Sequence, residues 1–103
     1  MLLGSQPRRA LADGVADEAE VNFRLGAERY QAGDYRGALA FFLTSNRLAP
    51  NNHVRFNVAR AFQRLGQYPE AYRWCEAALA GGDVEHSLRA QLEETRSAIE
   101  REV

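Results

Sequence analysis

The segment Gly33-Asp34-Tyr35-Arg36-Gly37-Ala38 returns 33 residues later as Gly66-Gln67-Tyr68-Pro69-Glu70-Ala71. In the same register Val21 meets Val54, Phe23 meets Phe56 and Leu25 meets Val58. Gly26 meets Ala59, Phe41 meets Trp74, and Cys75 stands where Phe42 stood. A fixed period of this size restricts the chain to a repeat architecture, in which each unit buries its apolar face against the next. Each unit reads as helix, tight turn, helix. Gly33 and Gly66 are the residues able to take a left-handed backbone after the first helix of each unit. Asp34 is suited to cap the following helix, and Pro69 suits a first helical turn.

Taken in order, residues 1–16 contain Gly4, Ser5, Pro7 and Gly14 and read as a mobile leader. Asp17 and Glu20 have capping-box spacing, which predicts a first helix over 18–32. Tyr35, Ala38, Leu39 and Phe42 follow an i, i+3, i+4, i+7 pattern, so a second helix is expected over 35–48, stopped by Pro50. Asn52 is the expected cap of a third helix over 53–65, with Val54, Val58, Ala61, Phe62 and Leu65 as its apolar stripe. A fourth helix over 68–80 repeats the second and ends at Gly81-Gly82. Asp83 is the expected cap of a fifth helix over 84–102, whose Leu88, Leu92, Thr95 and Ile99 share a face. The fold class is therefore all-α. Residues 17–103 form one domain, with repeats at about 19–52 and 53–82 and a helix that closes the exposed end.

Composition narrows function by exclusion. The chain has 103 residues, 46% of them hydrophobic and 26% charged, as in an ordinary globular domain. A net charge of −1 argues against a general nucleic-acid binder. All thirteen basic residues are Arg. The single cysteine, Cys75, cannot build an intrachain disulfide framework and lies mid-stripe, where a buried, inert thiol is expected. His53 and His86 have no ligand-spaced partners for a metal, and no glycine-rich phosphate loop is present. No catalytic residue, metal or cofactor is expected, and no stretch reads as a membrane span. A cytoplasmic location is the first expectation. A periplasmic or envelope location is the alternative, should a signal or anchor lie outside these residues.

Leu25-Gly26, Tyr30, Gly33-Asp34-Tyr35, Ala38, Phe42 and Pro50-Asn51-Asn52 are spaced as in a tetratricopeptide repeat, which the first unit resembles. The second unit carries Val58-Ala59, Phe62, Gly66, Tyr68, Ala71 and Ala78-Leu79, at a period one residue below the family's usual value of about 34. The resemblance implies an α-α superhelix that binds segments of other proteins without catalysis. It also implies that the first helix of each unit lines a concave groove. Compact two-repeat units with an Arg/Glu-rich closing helix further resemble modules of bacterial envelope proteins.

From Arg47 to Pro69 the chain has four arginines, one histidine and no acidic residue. His53, Asn57, Arg60 and Arg64 recur at helical spacing and form one polar stripe flanked by Phe56, matching the family's groove-lining positions. With Arg24 and Tyr30 from the first helix, these residues are the candidate peptide-binding set. The expected partner is another protein, through an acidic or carboxylate-ended segment, because Arg presents a planar fork of donors to carboxylate oxygens. The plainer reading is a solvated helix face rich in Arg. Asn57 matches an asparagine of the family's chaperone-tail clamp. Phe23 and Ala27, however, stand where that clamp needs Lys and Asn, so the resemblance does not extend to it. Two alternatives to an adapter are a self-associating scaffold element, giving a homo-oligomer, and a soluble module of a larger bacterial envelope or signalling protein.

Overall fold

The computed structural model describes residues 7–103, with side chains from Gly14 onward, and consists of five helices: α1 (Pro7–Gln31), α2 (Tyr35–Leu48), α3 (Asn52–Arg64), α4 (Tyr68–Leu79) and α5 (His86–Glu100). Among the described residues there is no strand. α1 packs on α2 and α3 on α4 as two antiparallel hairpins; α2 joins them by packing on α3, and α5 lies mainly on α4. The all-α, paired-hairpin expectation is met.

Both hairpin turns are made as the repeat requires. Gly33 has φ 82° and Gly66 φ 75°, in the left-handed region that favours glycine. After each, the backbone closes in the same way. Asp34 N–H donates to Arg29 O at 2.9 Å and Gly33 N–H to Tyr30 O at 3.0 Å. Gln67 N–H donates to Phe62 O at 2.9 Å and Gly66 N–H to Gln63 O at 3.0 Å. These paired bonds satisfy carbonyls left open by the last helical turn. Asp34 caps α2 as expected, its Oδ1 accepting from Gly37 N–H at 2.9 Å.

Three helix starts depart from expectation. α1 begins at Pro7, not near residue 18, so residues 7–16 belong to this helix; residues 1–6 of the expected leader lie outside the described residues. Proline is well suited to a first helical position, and Ala10, Leu11, Ala12 and Ala16 are strong helix formers, so the helix runs through Gly14 and past the Asp17–Glu20 spacing. α3 is capped by Asn51, one residue earlier than expected. Its extended backbone points Oδ1 at His53 N–H (2.7 Å) and Val54 N–H (3.3 Å), leaving Asn52 inside the helix to accept from Arg55 Nη1 at 2.9 Å. α5 starts at His86 behind Glu85, with no side-chain cap from Asp83. Val84 packs against the core there, which holds the chain non-helical through the segment before α5.

The core falls into two clusters, one per joint. Ala38, Phe42, Val54, Val58 and Ala61 fill the space between the hairpins. Ala59, Ala71, Cys75 and Ala78 meet Leu88, Leu92 and Ile99 of α5. The repeat partners trade volume across each hairpin. A methyl group on Gly26 would stand 2.6 Å from the Phe42 ring, so this ring lies directly on the α1 backbone. In the second hairpin the same two places hold Ala59 of α3 and Cys75 of α4, a larger residue than Gly26 with a smaller one than Phe42, and both are fully buried. A second fastening was not foreseen. Ser45 is the one buried polar side chain of the described core, and its hydroxyl donates to Ala19 O at 2.8 Å, tying α2 to α1. The outward face of α1 has no such cover: Val21 and Leu25 are 43% and 37% exposed, whereas their repeat equivalents Val54 and Val58 are buried.

Gly26→Ala should therefore destabilise the fold by about 1–3 kcal/mol, the range for overpacking a filled core. Pairing it with Phe42→Cys, which imports the second hairpin's combination, should recover part of the loss created by the clash. Urea unfolding of both single variants and the double variant checks this. Strictly additive losses would contradict the volume trade.

Candidate functional site

Five of the seven residues singled out from sequence converge. α3 is amphipathic: its Val54/Val58/Ala61 stripe is buried against α2, and from the adjoining His53/Asn57/Arg60/Arg64 stripe Arg60 and Arg64 reach Tyr30 of α1. From α1, Tyr30 meets two arginines at once. The Arg60 guanidinium carbon lies 4.6 Å from the Tyr30 ring centroid and 5.6 Å from that of Phe56. Arg64 lies 5.9 Å from the Tyr30 centroid, and its Nε–H donates to the Tyr30 hydroxyl at 3.1 Å. That hydrogen bond raises the Arg64 pKa above its ordinary value, so the group stays charged. Asn57 donates to His53 O at 2.8 Å and accepts from Arg60 Nη1 at 3.4 Å, using one donor and one lone pair of its amide and leaving the others open.

Tyr35, the first residue of α2, belongs to the cluster although only its turn-side position was evident from sequence. It packs edge-on to Tyr30 at 5.0 Å and 70° between ring planes, and it lies 5.5 Å beneath Arg64. The signal available was its place directly after the tight turn, which brings it back beside the end of α1. The two remaining residues stand apart. Arg24 is exposed on α1. The side-chain ion pairs of the described residues are Arg29–Asp34, Arg73–Glu70 and Arg96–Glu76, and Arg24 is in none of them. His53 is exposed at the start of α3 and lines a separate cleft with Ala16, Ala19, Glu20, Phe23 and Val54.

The arrangement restricts two cationic side chains on aromatic rings. Cation–π stacking of Arg60 contributes about 0.5–1 kcal/mol at an exposed position. It also fixes a side chain that otherwise costs about 0.5–1.5 kcal/mol to immobilise when a ligand arrives. Both arginines are thus restrained, Arg60 by its rings and its bond to Asn57 and Arg64 by its bond to the Tyr30 hydroxyl, each with further guanidinium N–H donors beyond those bonds. Their repeat equivalents one unit on are Glu93 and Ser97, and Tyr30's is Gln63, so the cluster is confined to the first joint. Among the described residues no group of three His, Cys, Asp or Glu side chains converges as a metal site. No helix among them is long and apolar enough to cross a membrane.

No model of a known protein family matches this chain, and no curated protein matches it.

Cys75 lies in the apolar core between α4 and α5, fully buried, and burial pushes its thiol up to about 11, against a smaller opposite pull from Arg96. Native protein at pH 8 should react with a thiol reagent orders of magnitude more slowly than unfolded protein. The folded pKa lies above the unfolded one, so the stabilisation is complete below about pH 9 and lost as pH rises toward 11. Thermal melts should therefore fall more steeply over that interval for the native chain than for Cys75→Ala. Equal slopes, or prompt labelling of folded protein, would contradict an inert buried thiol.

Proposed function

We propose that the chain is a non-catalytic adapter of the tetratricopeptide type that holds an acidic or carboxylate-ended segment of another protein against the α1–α3 face. The observation that carries this reading is the pair Arg60 and Arg64, pinned by Tyr30, Tyr35 and Phe56 with no acidic side chain among the described residues paired to either. A planar guanidinium offers parallel N–H donors to a carboxylate, and a ring beneath it leaves the edge carrying those donors available. Tyr30 and Phe56 supply apolar contact beside the charges, and Asn57 retains amide capacity for a peptide backbone. Binding through a surface of this kind is salt-sensitive, because exposed charges are screened over about 8 Å at physiological ionic strength.

A self-associating element is the second reading, favoured by the exposed Val15, Val21 and Leu25 of α1. Against it, Glu28 occupies the place where the second unit buries Ala61, which puts a charge one turn beyond Leu25 on that face. A two-chain mass by light scattering would favour it.

The double substitution Arg60→Glu with Arg64→Glu tests the adapter reading. Both positions lie outside the buried stripe, so the fold should survive, as judged by circular dichroism. Affinity for an acid-ended peptide should fall by about tenfold or more, since attraction is replaced by like-charge repulsion. Wild-type affinity in a normally folded double variant would reduce the cluster to a solvated helix face.

A further inference from the structure

The helices pack on one another in chain order, so the outward side of α1 and the α4–α5 pair stand at opposite ends of the stack. Each end leaves apolar side chains open whose repeat equivalents are covered. On α1, Val21 and Leu25 are exposed, whereas Val54 and Val58, 33 residues on, are buried in the core between the hairpins. At the other end Tyr68, Pro69 and Tyr72 of α4 line an open groove of about 400 Å³ with Ile99 and Val103. Tyr72 is the repeat equivalent of Leu39, which packs into the core between the hairpins. Val103 on the groove is 80% exposed.

The two ends also match in charge. On α1, Val21, Leu25 and Glu28 succeed one another at steps of four and three residues and form one ridge, with Arg24 beside it. The groove carries Arg73 on its α4 side and Glu100 on its α5 side. Among the described residues Arg24, Glu28 and Glu100 enter no ion pair, and Arg73 has a long, exposed one to Glu70 at 3.7 Å. A helix ridge laid in a groove between two helices is an ordinary packing mode. With the α1 ridge of another molecule in this groove, Val21 and Leu25 meet the tyrosines and Ile99, Glu28 is offered Arg73, and Arg24 is offered Glu100. A two-fold contact between two α1 helices is matched less well. Setting Val21 on the copy's Leu25 in antiparallel fashion also brings Glu18 against Glu28, a like-charge pairing that costs affinity.

We propose that the outward ridge of α1 in one molecule docks in the α4–α5 groove of a second copy, head to tail. The two faces differ, so the contact is heterologous and extends into a row of molecules. This rests on the self-association reading, which it deepens by giving both faces and a partner for the Glu28 charge. It does not rest on the carboxylate reading, because Arg60 and Arg64 lie outside both faces. The apolar area at each end is small, which places the contact in the weak class below about 1,200 Å².

Sedimentation equilibrium from about 10 μM to 1 mM protein covers the affinities of such weak contacts. It is run at physiological ionic strength, where charges beyond about 8 Å are screened and local pairs decide. The wild-type mass should rise with concentration and continue past two chains. Leu25→Glu and Val103→Glu, at exposed positions, should each stay single chains, with circular dichroism melts confirming their folding. Mixed in equal amounts they should form a two-chain complex, since each keeps the face that the other lacks. Glu28→Arg and Arg73→Glu should each associate about fivefold more weakly than wild type, and their mixture should regain the loss, because the exchanged charges attract again. Arg60→Glu with Arg64→Glu should associate as wild type does. A single-chain mass for wild type throughout, or no gain in either mixture, would overturn the docking. A mass that stops at two chains in wild type and in Val103→Glu alike assigns the contact to α1 against α1, so head-to-tail docking is wrong while self-association stands. Loss of association in the arginine double variant moves the contact to the α1–α3 face and overturns the proposal as well.

Discussion

The Phe42 ring lying on the α1 backbone at Gly26 is the contact on which the rest of the molecule depends. It sets how closely the first two helices approach, and the same ring meets Phe23 at 5.6 Å and shares the inter-hairpin core with Val54, Val58 and Ala61. The placement of α3 relative to α1 therefore follows from one aromatic side chain that a single methyl group on Gly26 would displace. Ala38, fully buried beside it, removes the bulk that would otherwise hold α1 and α2 apart. Ser45 adds a directional bond to Ala19 O farther along the same hairpin. Contacts of this kind favour one helix register over its neighbours, which a uniformly apolar interface does not.

The candidate site follows from the same repetition, through the positions where the two units differ. Where unit one has Tyr30, unit two has Gln63, and where α3 has Arg60, α5 has Glu93. The equivalent positions support similar backbone geometry, so the aromatic ring and two arginines meet once, at the first joint. The second joint is sealed instead by Leu88, Leu92 and Ile99, with Arg96 pairing to Glu76 at 2.6 Å on its surface. That pair is partly exposed and contributes at most about 1 kcal/mol. Closure of this end comes from apolar burial.

Residue pattern made the helices legible because Gly33, Gly66 and Pro50 act locally: each acts through its own backbone, without help from distant groups. The α2 limits and both glycine turns could be read directly for this reason. The starts of α1, α3 and α5 could not, because competing cap residues stand close together and tertiary contacts choose between them. Asn51 and Asn52 are adjacent and chemically identical, and only the extended backbone at Asn51 selects it. At α5 the anchoring of Val84 in the core overrides the capping ability of Asp83. In the site, helical spacing revealed the α3 stripe, yet it could not show that Tyr30 and Tyr35 sit beneath the arginines, because that proximity spans three helices. Nor could it separate His53 and Arg24 from the cluster, since all share the polar side of their helices.

The central claim is that the arginines between α1 and α3, pinned on aromatic rings, form a carboxylate-binding face. Nuclear magnetic resonance of the labelled protein, titrated with a ten-residue peptide ending in Glu-Asp, tests it most directly. Shifts are expected at the Nε–H of Arg60 and Arg64, the side-chain amide of Asn57 and the ring of Tyr30, saturating with one affinity and shrinking as salt is raised. Changes confined to the opposite faces of α2 and α4, or no changes at the arginines while the peptide binds, would contradict the account.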